Sequence, residues 1–369
     1  MKLKSFYTAC FSIIILLVLM LGEFDDLREI RYSIVPLSFF ISSPQLLKKS
    51  HLVNRKLRYL LYGLLLLIIF SLIFSFVSGF VIENQGYIAL KELIFVISPI
   101  ISVMVIQKSG FLEIEKFVKF ILFGLSIYLL VRIINSESVI QVGFIQFITS
   151  GFNTDFEGSL AFIYGFLVFF LYLKGQKKLF LISLLFLFFF GKRIVFAGIL
   201  FTALADSFLF RKISYNLSKK ILLGSVIFVS TIILLFSAGF FDDLFIDRYG
   251  ISLNAFTQGR SNILNLVFKS IDYNSLFIGN GFSYTTTYLT NIGHQQNLVH
   301  SDIFRFIIEF GLLGFILFYF LFFKNLHSEK TLSFAFLFLI LAISDNTFIY
   351  VHVMFFYYLL ISEDHYLSS

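Results

Sequence analysis

The stretch HSDIFRFIIEFGLLG, residues 300–314, sets a histidine, a serine, an aspartate, an arginine and a glutamate at the start of an apolar run. Histidine is the commonest general base because its pKa lies near working pH, so His300 is the first candidate for taking a proton from a substrate. His294, earlier in a polar loop, is its rival. Ser301 adds a small hydrogen-bonding group beside the base. Arg305 and Glu309 are four apart, so they can pair on one helix face and neutralise each other inside a membrane, with a structural role as the default. Gly311 and Gly314 let the same helix pack closely on a neighbour.

Three further stretches carry candidates. FFFGKRIVFAG places Lys192 and Arg193 between two apolar runs; the bland reading is a pair of snorkelling cations at a tight turn. TQGRSNILNLVFKSI, residues 257–271, has Ile263, Leu264, Val267, Phe268 and Ile271 at helical spacing, which predicts an amphipathic helix lying at the membrane surface. Arg260 stands at its N-terminal end, where free backbone N–H groups favour anions and a guanidinium is unfavourable unless an anion arrives. Its two-pronged geometry suits phosphate, against the plain alternative of an exposed loop arginine. LFIGNGFSY supplies Gly279 and Gly281, which permit a tight turn or close backbone approach and are a weak signal for a phosphate loop.

The elements that must position these residues follow from composition. The 369 residues are 58% hydrophobic and 14% charged, with 54 phenylalanines, which excludes an ordinary soluble domain. Many apolar stretches run about 15 to 22 residues, the length that crosses roughly 30 Å of hydrocarbon. The expected fold is all-α, a polytopic integral membrane helical bundle. About twelve candidate spans fall near 6–22, 32–47, 59–81, 88–106, 117–134, 159–173, 179–191, 194–210, 221–239, 303–323, 332–344 and 347–361. The first resembles a signal peptide without a small-x-small cleavage site and reads as a retained helix. Cys10, the single cysteine, lies inside it and forms no intrachain disulfide.

Lys and Arg set the sides. With the N-terminus inside, the inner loops hold Lys48, Lys49, Arg55, Lys108, Lys116, Lys177, Lys178, Arg211, Lys212 and Lys330, while 82–87 and 135–158 hold neither residue type. Both termini are then cytoplasmic, and the net charge of +7 reflects basic inner loops, with no nucleic-acid partner required. The chain divides into 1–239 with nine spans, one long external loop 240–302, and 303–369 with three spans.

The part of the chain from 190 to 325 resembles the O-antigen polymerase and O-antigen ligase superfamily. That family shows an Arg with a Leu four residues on, a glycine-rich turn, a His followed by a small polar residue, then nine residues and Gly-x-x-Gly. Here Arg260 precedes Leu264, LFIGNGF is the turn, and His300-Ser301 precedes Gly311 and Gly314. Arg193 matches the family's arginine at the outer end of an earlier helix. Many members, ligases above all, carry His-Asn where this chain has His-Ser.

The resemblance implies a glycosyltransferase of the bacterial cytoplasmic membrane. It would polymerise oligosaccharide repeat units carried on undecaprenyl pyrophosphate, on the external, periplasmic face. His300 would deprotonate the acceptor hydroxyl, Arg193 and Arg260 would bind the departing pyrophosphate, and Ser301, Gly279, Gly281, Gly311 and Gly314 would support them. No cofactor or metal is expected, since the sequence shows no obvious Asp-x-Asp site and the donor is already activated. Partners would be the lipid-linked glycan, membrane lipid and a chain-length regulator. The nearest alternative is a ligase moving finished glycan to lipid A core. From another class comes a polysaccharide flippase, for which Asp206 and Glu309 are the candidate intramembrane ionisable groups.

Overall fold

The computed structural model describes residues 3–46, 55–77, 79, 82–135, 159–190, 192–257, 259–324 and 326–363. Lys48, Lys49 and all but the first residue of the stretch 135–158 lie outside them.

Every regular element among the described residues is helical. In chain order the α-helices are α1 Leu3–Leu21, α2 Ile34–Leu46, α3 Arg55–Val77, α4 Gln85–Ser109, α5 Ile114–Asn135, α6 Leu160–Leu173, α7 Lys177–Phe189, α8 Arg193–Ala205 and α9 Tyr215–Ser237. They continue with α10 Asp242–Tyr249, α11 Leu253–Phe256, α12 Arg260–Lys269, α13 Tyr273–Ile278, α14 Tyr284–Asn291, α15 Asp302–Lys324, α16 Glu329–Ser344 and α17 Val351–Ile361. Each candidate span has a helix beneath it. Seven helical stretches are long and apolar enough to cross a membrane: α1, α3, α4, α5, α9, α15, and α8 with its continuation to Phe210. At 1.5 Å per residue, α6 and α17 reach only about 21 and 16 Å. α6 is apolar around its whole circumference, and α17, apolar apart from His352 and two tyrosine hydroxyls, is buried from end to end.

The chain splits into two compact units. The first comprises 1–54, 98–208 and 350–369. Its centre is ring packing: Phe117 on α5 stacks against Phe356 on α17 at 5.6 Å, and Phe166 on α6 lies 5.7 Å from Tyr357. The second comprises 55–97 and 209–349. Its centre is α15, whose residues 302–311 are all buried although Asp302, Arg305 and Glu309 are among them. Ser301 caps that helix, its Oγ accepting the Phe304 N–H at 3.3 Å, and Ser328 and Thr331 form a capping box at the start of α16.

The periodicity at 257–271 corresponds to α12, with Arg260 as its first residue. Protein covers its apolar face. Ile263, Leu264 and Val267 are buried within the second unit, and Asn265 Nδ2 donates to the Ser237 carbonyl at the end of α9 at 2.9 Å. Helical spacing shows that one face is apolar; here protein covers it.

Candidate functional site

The glycine turn and the middle of α15 form a backbone-on-backbone crossing. Gly311 has φ 69° and ψ 173°, a region open almost only to glycine, and it breaks α15 in two. Carbonyls before such a break lose their usual helical partners. Those of Ile308 and Glu309 accept instead from the turn: Asn280 N–H at 3.0 Å, Asn280 Nδ2 at 3.0 Å and Gly281 N–H at 3.1 Å. A Cβ on Gly279 would collide with the Glu309 carbonyl, and one on Gly311 with the Ile278–Gly279 peptide. From α3, Ser71 Oγ donates to the Glu309 carbonyl and Ser75 Oγ to that of Asn280. The turn's amides are therefore already engaged, Gly279 N–H going to the Ser275 carbonyl, and Gly279 and Gly281 serve the fold rather than an external phosphate. Gly314 does pack on a neighbour, facing Leu67 of α3.

Directly beside the crossing lies a fully buried ionic cluster. Arg305 Nε donates to Glu309 Oε1 at 3.1 Å, the i, i+4 pair that the spacing predicts. The same guanidinium also bonds Glu92 of α4. Ser283 and Thr286, at the head of α14, donate to the two Glu92 oxygens, Thr286 at 2.8 Å. Thr285 Oγ1 donates to Glu309 Oε1 at 2.6 Å. The Arg305 guanidinium also faces the Phe282 ring at 5.6 Å. Three elements are thus locked by two carboxylates on one arginine. Arg305 NH1 and Glu309 Oε2 are buried without a hydrogen-bond partner.

The second cluster sits at the head of α15. His300 adopts a left-handed backbone, φ 52°, just before the cap residue Ser301, and its ring is partly exposed. His300 Nδ1 is 3.8 Å from Asp345 Oδ1, at the C-terminal end of α16. Arg260 is exposed, and its NH1 donates to the Ser344 carbonyl at 3.3 Å. One turn at 344–345 therefore gathers His300, Arg260 and a buried carboxylate. Asp302 fastens the turn that follows: its Oδ2 accepts from Thr347 Oγ1 at 2.9 Å and Phe348 N–H at 2.8 Å. The Tyr284 hydroxyl on α14 is held above its ordinary pKa by burial, with a hydrogen bond to Ser270 opposing the shift, so it stays a neutral phenol. The rival His294 accepts the Gln296 N–H at 3.1 Å, a local turn bond. With Nδ1 toward Asp345, the His300 Nε2 edge is left for a hydroxyl, and Arg260 can meet an anion.

No family model, curated protein or solved structure matches this chain. The resemblance of 190–325 to the polymerase and ligase superfamily therefore rests on the spacing of its motifs.

Arg193 belongs to the first unit, whereas His300 and Arg260 belong to the second. It is the exposed first residue of α8, beside Lys192, whose Nζ lies 4.1 Å from the Phe162 ring centroid. The first unit has its own polar cluster. Glu23 bonds Arg31 and lies 3.7 Å from Arg132 NH1; Arg31 NH1 donates to Ser159 Oγ at 2.8 Å, and Ser159 Oγ is 2.6 Å from His352 Nε2. Burial raises the Glu23 carboxyl pKa and lowers that of Arg31, each opposed by the charge of the other.

Sequence reasoning missed Glu92, Asp345 and the first-unit cluster. A signal existed for Glu92, a lone acid inside the apolar run of α4, since an ionisable residue at that depth calls for a partner. Asp345 gave less, because SDNTF between two apolar runs reads equally as a polar turn.

Proposed function

We propose that this chain is a membrane glycosyltransferase that polymerises lipid-linked oligosaccharide repeat units on the outer face of a bacterial cytoplasmic membrane. The donor is a glycan on undecaprenyl pyrophosphate, and the product is O-antigen or a related surface polysaccharide of the lipopolysaccharide class. The reading includes about twelve crossings, both termini in the cytoplasm and the segment 240–302 outside.

The observation that carries it is the turn at 344–345, which holds a histidine, a carboxylate and an exposed arginine within one rim. His300 takes the proton of the acceptor hydroxyl as that oxygen bonds the anomeric carbon. Asp345 faces the other ring nitrogen, orients the ring and stabilises the imidazolium. The bond from the anomeric carbon to the pyrophosphate oxygen breaks, and Arg260 receives the leaving anion. The buried cluster takes no part in these steps.

Deletion and complementation test the reading through surface polysaccharide resolved on a gel. Molecules carrying a single capped repeat are the expected result. Bare lipid A core with polymer retained on carrier lipid would assign the same residues to a ligase. A second reading, a proton-coupled carrier of lipid-linked glycan, is favoured by the buried Glu92–Arg305–Glu309 cluster, because transporters place such groups inside the bundle. Absence of any repeat from the outer face would select it.

A further inference from the structure

We propose that residues 240–278 carry a bilayer-facing surface at two depths, occupied by phospholipid. The shallow part is α10 with its flanks. It follows the membrane-crossing α9 after a short turn at Gly239, φ 84°, and it contains no buried residue. Phe240, Ile246, Tyr249 and Phe256 are nevertheless 70%, 51%, 63% and 62% exposed. Phe245, Ile246 and Tyr249 share one side of the helix with Asp242 of its first turn, while Asp247 and the exposed Leu244 lie on the other. Phe245 holds the aromatic group together, 5.3 Å from Tyr249 and 5.2 Å from Phe256. A contiguous apolar band of this kind is unusual in water and ordinary at the boundary between headgroups and acyl chains. The exposed apolar side of α9, including Phe228, leads along the chain into it.

The deep part is the tip of α13. Gly279 touches Gly311, which lies about 14 Å along α15 from its first residue, close to half of a roughly 30 Å hydrocarbon layer. Non-helical backbone at that depth must be buried in protein, and this turn is, against α3 and α15. Its neighbours Phe277 and Ile278 point outward, with Phe277 58% exposed, and Leu313 beyond the helix break is 69% exposed. Acyl chains are the occupant this position offers. Together the two parts recast the segment expected as an external loop: one end rests on the bilayer and a later portion dips into it. None of this depends on which reaction the rim supports.

The chain has no tryptophan, so a single introduced one reports its own surroundings. Ile246→Trp, Phe277→Trp and Asp247→Trp proteins are reconstituted in phosphatidylcholine vesicles whose chains are brominated either near the headgroup or near the chain end. Unchanged melting temperatures in detergent verify the fold. Shallow bromines should quench Ile246→Trp at least twofold more than deep ones, with the order reversed for Phe277→Trp and little quenching of Asp247→Trp by either. Equal quenching of Ile246→Trp and Asp247→Trp would overturn the shallow contact. A Phe277→Trp signal no more sensitive to deep bromines than that of Ile246→Trp would overturn the deep one. Blue-shifted but unquenched emission from Ile246→Trp would mean that a second copy of the chain covers the face, which also defeats the proposal.

Discussion

His300 and Arg305 stand five positions apart at the head of α15, yet their surroundings are opposite. Arg305 is buried, touches two carboxylates and an aromatic face, and ties three elements together. His300 is partly exposed, stands 3.8 Å from its carboxylate and leaves one ring nitrogen open. The contrast separates two uses of charge in an apolar protein. A group whose partners all come from the chain holds the chain together, and removing it leaves those partners unpaired in a medium that does not solvate them. A group with a chain partner on one side and solvent on the other is available to something that arrives from outside.

The contrast breaks most severely at Arg305. Arg305→Ala would leave Glu92 and Glu309 without their cation, a loss of about 3–5 kcal/mol for a buried pair. Membrane-inserted protein should fall sharply, and the added substitution Glu92→Gln should restore part of it. Wild-type abundance and melting temperature for Arg305→Ala would remove the structural role. Next comes Gly311→Ala, which forces a side chain onto the Ile278–Gly279 peptide in backbone space costing about 1–3 kcal/mol before any collision. Gly314→Ala meets the Phe310 and Leu67 side chains and should lower the melting temperature less. The reverse order would contradict the crossing.

At the rim the expected effect moves from folding to rate. His300→Ala should accumulate normally and lose about 10²- to 10⁴-fold in polymer formation, while His294→Ala stays near wild type. If the two exchange behaviours at equal abundance, the base is misassigned. Arg260→Ala should lose most activity at normal abundance, with Arg260→Lys recovering part, because lysine keeps the charge and loses the planar fork. Polymer of normal length from Arg260→Ala would remove it from the anion site. The smallest effect sharpens the boundary between the clusters. Ser301→Ala should cost roughly 1 kcal/mol through the lost helix cap and leave the rate of the folded protein unchanged. A large rate defect there would move Ser301 from scaffold to chemistry.

Much of the scaffold was readable in advance because lipid demands long apolar helices, and a helix lies beneath each candidate span. The Arg305–Glu309 pair was readable because an i, i+4 spacing is local. What stayed hidden is non-local. Glu92 and Arg305 are far apart in sequence, and no property of either names the other. The glycine turn was recognised as a place of close approach, but its target, the break at Gly311, depends on two backbones meeting. The apolar face of α12 was visible, and the protein covering it was not. Nothing local to Asp345 announces that α16 ends beside His300.

The bond between Glu92 and Arg305 joins residues 213 positions apart. At a synthesis rate of about 5–20 residues per second, the ribosome needs roughly 10 to 40 s to supply the arginine after the glutamate has been made. Over that interval the α4 carboxylate has no cation, and the serine and threonine that bond it arrive late as well. Biogenesis of the second unit is therefore a waiting problem. Nascent chains arrested before Arg305 expose an uncompensated acid that membrane quality control can recognise.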